Sequence, residues 1–190
     1  MRDIVFPDNN EAAFLARAKT LGIEELVFVY EDPARISGTE GAKPALLAHP
    51  QGIGKARAKT EIVLLKSSDQ DLHTIEHTAP DILFDLEASP KFDALHQRAS
   101  GLNHILAAVC AKNGVTIAFA FNSLLAAPVE RRAILLGRIA QNIQLCRKYR
   151  VPMKIASFAR TPGGMRSPED LAALFRVLGM RQQEIRDASD

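Results

Sequence analysis

The sequence predicts an α/β fold, a compact TIM-barrel-like (βα) structure with shortened or missing helices, in which residues 1–190 form one domain. Short apolar runs alternate with segments of helical period, which is typical of a parallel sheet covered by helices. Seven apolar runs occur, enough to close a barrel. A barrel of eight units needs about 250 residues, so this shorter chain must have reduced some helices.

The strands are predicted at the apolar runs. They cover Asp3–Phe6, Glu25–Tyr30, Ala45–Ala48, Ile62–Lys66, Asp81–Leu86, Val115–Phe121 and Met153–Ser157. Because single apolar runs bury both of their faces, they favour parallel strands with helices on the outside. The run Val115–Phe121 is the strongest of them.

Helices are predicted where apolar side chains recur at helical spacing. They cover Asn10–Thr20, Leu102–Lys112, Val129–Tyr149 and a segment that starts after Ser167 and stops at Gly179. Asn113-Gly114 is a C-terminal signal for the second helix. Ser167-Pro168, followed by Glu169 and Asp170, is typical of a helix start.

Two segments carry weaker signals. Residues 35–59 are rich in Gly, Pro, Ala and Lys and have weak periodicity, so we expect an irregular insertion or loop region in which helices have been lost. Residues 181–190 predict a weakly ordered tail.

Cysteine usage and hydropathy indicate a cytoplasmic protein. Cys110 and Cys146 fall inside predicted helices among apolar neighbours, which favours buried, reduced thiols. No apolar run reaches the roughly 18 residues that span a bilayer, and residues 1–6 contain no apolar signal region. We therefore expect no membrane association and no secretion.

The net charge of +2 hides a strong asymmetry along the chain. Residues 1–90 contain 9 Lys/Arg and 15 Asp/Glu, whereas residues 91–190 contain 15 Lys/Arg and 7 Asp/Glu, so the two parts carry −6 and +8. A basic half favours an anionic partner such as nucleic acid. The alternative, equally supported by charge alone, is a folded dipole in which the acidic half neutralises the basic one.

One enzyme-like motif occurs outside the basic half. His73-Thr74-Ile75-Glu76-His77 matches H-x-x-E-H, the inverted zinc-protease pattern. Two histidines four residues apart share a helix face, but a protease needs a third ligand from a distant acidic helix. We expect a solvated polar face here. Gly52-Ile53-Gly54-Lys55 lacks the spacing of a phosphate-binding loop and is interpreted as a turn.

Several polar clusters fall where predicted strands end or helices begin, the places where α/β proteins put their binding groups. They include His96-Gln97-Arg98, Ser100-Gly101-Leu102-Asn103, Gly137-Arg138, Gln141-Asn142-Ile143, Ala156-Ser157-Phe158-Ala159 and Met165-Arg166-Ser167-Pro168. In this order the clusters between Asp81 and Met180 resemble the ribonuclease P protein component 3 family. This is the archaeal counterpart of the thirty-kilodalton subunit of nuclear ribonuclease P. Residues 31–78 diverge from the family.

The resemblance implies a barrel-like α/β fold and membership of a ribonucleoprotein that removes 5′ leaders from precursor tRNA. It implies that the RNA subunit carries the chemistry, with magnesium held mainly by RNA, and that the isolated chain is not catalytic and has no cofactor or metal of its own. The implied partners are ribonuclease P RNA, ribonuclease P protein component 2 and other protein subunits, with precursor tRNA as the substrate of the holoenzyme.

RNA contacts are expected at strand ends and helix starts. The predicted contact residues are Arg98, His96, Ser100, Arg160, Arg166, Arg147, Lys148 and Arg138. Such groups hold the backbone of folded RNA with little reading of base sequence. This hypothesis depends on the cationic side chains of residues 91–190 clustering on one exposed rim.

Each assignment has a structural alternative. The Arg98 guanidinium can make bidentate phosphate contacts or can pair with Asp85 or Glu87. For His96 a satisfied structural role is as well supported as base stacking or phosphate binding. Free N–H groups after Ser100 attract a phosphate oxygen, and a plain helix cap is the equal alternative.

The remaining candidates are weighed in the same way. Arg160 and Arg166 flank a loop with two glycines, which could serve only a turn. Arg147 and Lys148 end a helix, where cations also complement the helix dipole. Arg138, together with Asn142, could contact neighbouring barrel elements or a partner protein instead of RNA.

Two other classes of function compete with RNA binding. The alternative function is a metal-dependent phosphoesterase of the related barrel superfamily, which requires several His and Asp at the C-terminal ends of strands. Here His49, Asp85, Glu87 and His96 are spread over three loops, and Asp8-Asn9-Asn10 follows the first strand in place of a His-x-His pair. The third interpretation is a protein–protein scaffold with a dipolar charge pattern.

Overall fold

Parallel strand pairing organises the chain. The computed structural model describes residues 1–36, 38–95 and 98–190, and in these residues seven parallel strands form one sheet in chain order. The strands are β1 (Arg2–Val5), β2 (Glu25–Tyr30), β3 (Ala42–Ala48), β4 (Ile62–Lys66), β5 (Ile82–Phe84), β6 (Thr116–Ala120) and β7 (Met153–Ala156).

Helices connect the strands and cover the outside of the sheet. They are α1 (Glu11–Leu21), α2 (Ile53–Arg57), α3 (Asp71–His77), α4 (His104–Asn113), α5 (Phe121–Ala126), α6 (Val129–Tyr149), α7 (Pro168–Val177) and α8 (Gln182–Ser189). Single 3₁₀ turns occur at Pro33–Arg35, Pro50–Gly52, Leu86–Ala88 and Pro162–Gly164. No helix in the described ranges is both long and apolar enough to cross a membrane.

The first and last strands nearly close the sheet into a barrel. Val5 and Ala159 form a parallel bridge, and the Phe6 N–H donates to the Ala159 carbonyl at 2.9 Å. Two residues earlier in β1, the Asp3 carboxylate accepts the N–H and the hydroxyl of Ser157, both at 2.6 Å. The side chain of Asp3 therefore replaces the missing ladder hydrogen bonds between β1 and β7. The TIM-barrel-like prediction is confirmed.

Apolar side chains fill two layers because successive strand residues point to opposite faces. The barrel interior contains Ile4, Phe6, Val27, Val29, Ala45, Leu64, Phe84, Ala118, Ala120, Ala156 and Phe158. Their strand neighbours, such as Phe28, Leu65 and Phe119, form the second layer with the apolar faces of the helices. Cys110 and Cys146 are buried and unpaired in this second layer, and burial raises the pKa of both thiols, as their apolar surroundings predict.

The prediction of an irregular region at residues 35–59 is wrong in part. This region contains β3 and α2, and β3 pairs with β2 at five positions from Ala42 to Leu46. Its weak periodicity has a physical cause, since Ala45 and Leu46 are both buried on opposite faces of the sheet. The predicted loss of helix is present: in the described part of the β2–β3 connection the helical segment is the 3₁₀ turn Pro33–Arg35.

The prediction of a weakly ordered tail at residues 181–190 is also wrong. Residues Gln182–Ser189 form α8, which packs on β7 and buries Ile185 and Ala188. The Lys154 ammonium donates to the Ser189 carbonyl at 3.2 Å. Two buried apolar residues in a polar segment gave too weak a periodic signal for a docked helix.

Candidate nucleic-acid interface

The predicted RNA-contact residues lie at opposite ends of the barrel. Arg160 follows the C-terminal end of β7, at the face where the loops after the strands gather. Helix α6 runs back toward the start of β7, so Arg147 and Lys148 in its last turn lie at the N-terminal face. The expectation of one basic rim is therefore wrong for these two residues. In this fold the C-terminal face carries the binding sites.

Aromatic rings fill the mouth of the barrel at its C-terminal face. Phe84 and Phe158 have ring centroids 4.9 Å apart, and Phe6 lies 6.3 Å and 6.2 Å from them. The last residue of β5 and residues just after β1 and β7 thus close the barrel interior with apolar groups. Among residues 1–36, 38–95 and 98–190, no group of three or more His, Cys, Asp and Glu side chains is arranged to hold a metal ion. The H-x-x-E-H segment is an exposed face of α3, with the His73 and His77 rings stacked 4.4 Å apart.

Arg160 and Arg166 lie beside the filled mouth, on either side of the 3₁₀ turn Pro162–Gly164. The Arg160 guanidinium lies 4.7 Å from the centroid of the Phe6 ring and 3.3 Å from a carboxylate oxygen of Glu31. Both partners of this ion pair are largely exposed, so the pair contributes little stability and leaves Arg160 able to change partner. The Arg166 guanidinium lies 5.0 Å from the Phe121 ring and donates to the carbonyls of Gly163 and Met165.

Arg98 lines an open cavity of about 670 Å³ on the C-terminal face. Two more cations line it, Lys66 at the end of β4 and Lys91 after β5. Its hydroxyl and carboxylate groups come from Ser67, Ser68, Ser89, Ser100, Asp69, Asp71 and Asp85. The alternative pairing of Arg98 with Asp85 or Glu87 is not formed, since Asp85 pairs with Lys66 at 3.5 Å and both carboxylate oxygens of Glu87 are buried without a partner.

Carboxylates of this cavity are held by local donors. Asp71 accepts the Ser67 hydroxyl at 2.6 Å and the Ser68 N–H at 2.8 Å. Burial raises the pKa of Asp71, and these hydrogen bonds oppose the rise. Asp85, whose φ is 63°, accepts the Ser123 hydroxyl at 2.5 Å. Asp69 lies 3.8 Å from the Lys91 ammonium, and both side chains are exposed.

The structure gives Arg138 a structural role instead of the predicted RNA contact. Its side chain is 3% exposed. The guanidinium donates to the carbonyls of Glu87 (2.9 Å), Ser89 (2.8 Å) and Lys91 (2.5 Å) and to the Asp93 carboxylate (2.8 Å). Arg138 therefore fixes the chain after β5 to helix α6, which is the alternative that assigned it to neighbouring barrel elements.

Ser100 is likewise buried. Its hydroxyl donates to the Leu102 carbonyl at 3.4 Å and accepts from the Gln141 amide at 2.9 Å, and its carbonyl accepts from Asn142 at 2.9 Å. The helix that follows begins at His104, two residues later than predicted, and its cap is Asn103, whose side chain accepts the Leu106 N–H at 2.9 Å. Ser100 thus fixes the start of α4 to α6. His96, another predicted contact, lies outside the described residues.

Arg147 joins two elements of the N-terminal face. It makes a bidentate ion pair with Glu184 of α8, at 2.6 Å and 2.7 Å, and donates to the Gly179 carbonyl. The hydrogen bonds from Arg147 lower the pKa of Glu184. Arg147 therefore has a structural role, but through an ion pair that connects α6 to the α7–α8 segment and not only through the helix dipole that its structural alternative named. Lys148 is exposed, with its ammonium 5.5 Å from the Tyr149 ring.

Sequence reasoning missed Lys66 and Lys91 as partners of Arg98. A signal for Lys66 exists, because a lysine that ends a buried strand and precedes two serines must lie at the C-terminal rim. Lys91 and Phe92 follow Pro90 in a segment without periodicity, and only the hydrogen bonds from Arg138 show where that segment lies.

Comparisons with known proteins agree on one family. Residues 47–190 match the family model of the RNase P subunit p30. The chain is 30% identical over 195 residues to ribonuclease P protein component 3 of Methanococcoides burtonii, covering 94% of this chain and 78% of the relative. The same protein of Methanosarcina mazei is 30% identical over 169 residues, covering 88% and 61%. The chain therefore spans less than two thirds of this second relative.

Solved structures share the fold. A chain in the cryo-EM structure of archaeal ribonuclease P with mature tRNA superposes with a TM-score of 0.80 at 22% identity, covering 99% of this chain and 86% of that chain. A protein of Agrobacterium tumefaciens superposes with a TM-score of 0.58 at 10% identity, covering 99% and 92%. At these identities the likeness concerns the fold alone.

Proposed function

Because this chain belongs to the RNase P subunit p30 family, we propose that it is a protein subunit of ribonuclease P that binds the catalytic RNA and supports removal of 5′ leaders from precursor tRNA. The observation that carries the RNA-binding role is the C-terminal face. There Arg98, Lys66 and Lys91 line one cavity, and Arg160 and Arg166 lie beside a mouth closed by aromatic rings.

Charge neutralisation is the proposed mechanism. Phosphates of folded RNA replace the weak, exposed carboxylate partners of these cations, and bound counterions are released from the RNA. Arg98 is proposed to contribute strongly to RNA affinity, because its guanidinium can bind a phosphate through two parallel hydrogen bonds. Its nearby carboxylate is that of Asp93, whose pKa its charge helps to lower. Fixing several RNA segments on a rigid rim would favour the folded state of the catalytic RNA.

The chemistry of leader removal is assigned to the RNA. Ribonuclease P is an endonuclease, a hydrolase that cuts a phosphodiester bond, and we propose that its magnesium ions are held by RNA. The C-terminal mouth of this barrel does not fit a magnesium site, since Phe6, Phe84 and Phe158 occupy it. The same rings argue against the metal-dependent phosphoesterase, whose substrate would have to enter there.

Protein partners and compartment follow from the family. We propose that the chain assembles with ribonuclease P protein component 2 and other subunits of the particle, in the cytoplasm. The M. burtonii and M. mazei relatives carry the name component 3, which supports membership of a particle with several protein subunits.

A salt titration tests the proposal. The full chain is titrated with ribonuclease P RNA of the same organism at several salt concentrations. Arg98→Ala and Arg166→Ala should each weaken binding and lower the slope of log K against log salt by about one, with the melting temperature close to wild type. Lys112→Ala, an exposed cation at the end of α4 on the opposite face, is the matched control and should change neither. A binding constant that ignores salt would contradict the proposal.

A further inference from the structure

Phe92 is the most exposed large apolar side chain of the described residues. It is 96% exposed and lies in the segment between the 3₁₀ turn Leu86–Ala88 and α4. A phenylalanine wholly in water loses the favourable transfer of its ring to an apolar environment. An exposed ring therefore calls for an explanation when its backbone is fixed.

The backbone on both sides of Phe92 is fixed. Arg138 donates to the Lys91 carbonyl before it and to the Asp93 carboxylate after it. Asp93 also accepts the Ala99 N–H at 2.8 Å. Burial acts to raise the pKa of Asp93, but the hydrogen bonds from Ala99 and Arg138 outweigh burial, so the pKa is lowered. Arg131 donates to the carbonyls of Ala88 and Ser89. Two arginines of α6 thus hold this segment in one conformation and present the ring to solvent.

Polar groups that suit a nucleotide line the cavity beside the chain segment that carries Phe92. Lys91, its neighbour in the chain, lines the 670 Å³ cavity together with Arg98 and Lys66. These cations can neutralise phosphates. The serine hydroxyls and the carboxylates of Asp69, Asp71 and Asp85 in the same cavity offer acceptors for base amino groups and ribose hydroxyls. Phe92 is thus an exposed ring that follows a cavity-lining cation in a fixed chain segment, and proteins bind unpaired nucleotides through aromatic stacking combined with positive charge.

We propose that Phe92 stacks on an unpaired base of the RNA, with the phosphates that flank this base bound by Lys91 and Arg98. The inference rests on the proposed function and adds to it a contact with single-stranded nucleotides. The competing occupant is an apolar protein surface, suggested by Leu95 (92% exposed) and Ile134 on α6. The charge favours RNA, because an apolar groove on a partner that covered Phe92 would also have to desolvate Lys91, its neighbour in the chain.

Replacing Phe92 separates stacking from simple apolar contact. Phe92→Ala and Phe92→Leu should weaken binding of ribonuclease P RNA by about 5- to 150-fold, the range for loss of one stacked base, whereas Phe92→Trp should bind like wild type. The salt slope should stay unchanged, since no phosphate contact is lost. All three variants should keep the wild-type melting temperature because the ring is exposed. Val177→Ala, 85% exposed at the end of α7, is the matched control.

A second readout locates the contact. Ribonuclease P RNA with 2-aminopurine at single unpaired positions should show quenching on binding of the wild-type chain and of Phe92→Trp at one position. The quenching should be lost with Phe92→Ala.

The outcomes distinguish the two proposals. If the wild-type chain does not bind the RNA, the proposed function fails. If it binds and Phe92→Ala binds equally well, the stacking inference alone is overturned. If Phe92→Leu binds like wild type while Phe92→Ala does not, the contact with the RNA needs an apolar side chain but not an aromatic ring, and the stacking inference is again overturned.

Discussion

The Arg98 side chain lies directly on the α-carbon of Gly137 in helix α6, so that a methyl group at position 137 would overlap its guanidinium. Gly137 lies inside a helix of 21 residues and does not have a positive φ. A glycine in a helix interior costs about 0.5–1 kcal/mol relative to alanine. The close approach of Arg98 gives a physical reason for this glycine, and it links a residue of the helix to one of the rim.

Gly137→Ala should separate stability from RNA affinity. The overlapping atoms belong to the flexible end of Arg98, so the guanidinium can move away, and the helix should gain up to about 1 kcal/mol. RNA affinity should fall as it does for Arg98→Ala. Urea denaturation and RNA titration measure the two effects. The double variant should bind no more weakly than Arg98→Ala alone, and additive losses would show that Gly137 does not act through Arg98.

Gly101→Ala should destabilise the fold, because here the obstacle is backbone. Gly101 has φ +77°, and a methyl group there would overlap the Leu86 carbonyl. We expect a loss of more than ~2 kcal/mol, from the unfavourable φ and from the displacement of a fixed chain segment.

Gly114→Ala is the matched control for this prediction. Gly114 has φ +69° with open space around its α-carbon, so alanine there should cost only the conformational penalty, about 1 kcal/mol. Equal losses at positions 101 and 114 would show that the contact with Leu86 does not matter.

Sequence patterns predicted the barrel and most of its strands because buried parallel strands have a strong local signal. They failed at α8 and at α2 within residues 35–59, because each of these helices docks through only two buried apolar residues. At the site, the sequence could not distinguish Arg98 from Arg138, since both belong to the polar clusters that carry the family resemblance. Only the packing of α6 against the segment after β5 exposes one guanidinium and buries the other.

Arg138→Lys tests the structural role of the buried arginine. A lysine keeps the positive charge but has one ammonium group, which cannot satisfy the three carbonyls and the carboxylate that Arg138 joins. We expect a loss of about 2–4 kcal/mol in urea denaturation. RNA affinity should fall as well, because the segment that carries Lys91 and Phe92 loses its anchor.

Arg132→Lys is the control for Arg138→Lys. Arg132 is exposed on the same helix and donates to the carbonyls of Leu125 and Ala127, so its replacement should change stability by no more than about 0.5 kcal/mol. If Arg138→Lys is as stable as this control, the buried hydrogen bonds of Arg138 are not important to the fold.

Glu87 should make the stability of the protein depend on pH. Burial raises the pKa of its carboxyl group to about 8, and the negative charge of Asp85 adds to the rise. Neither carboxyl oxygen has a hydrogen-bond partner among the described side chains and backbone groups, and the Asn142 amide oxygen is also buried without a donor. The carboxyl group is therefore protonated in the folded protein at neutral pH.

The sign of the effect follows from proton binding. In the unfolded chain Glu87 ionises near its ordinary pKa of 4.5, whereas in the folded protein it keeps its proton up to about pH 8. Between these values the folded state binds more protons, so the contribution of this group to the free energy of unfolding falls as pH rises and levels off above pH 8. The full decrease is roughly 3–5 kcal/mol.

Glu87→Gln removes this dependence, because glutamine has nearly the same shape and no titrating proton. Urea denaturation at pH 5, 6, 7 and 8 measures the free energy of unfolding of both proteins. Relative to the wild type, that of the variant should increase by a few kcal/mol from pH 5 to pH 8. The exposed Glu76→Gln on α3 should run parallel to the wild type at every pH. If the free energies of unfolding of Glu87→Gln and the wild type differ by a constant amount from pH 5 to 8, Glu87 is already ionised in the folded protein. A cation or water inside the barrel wall would then satisfy its carboxylate.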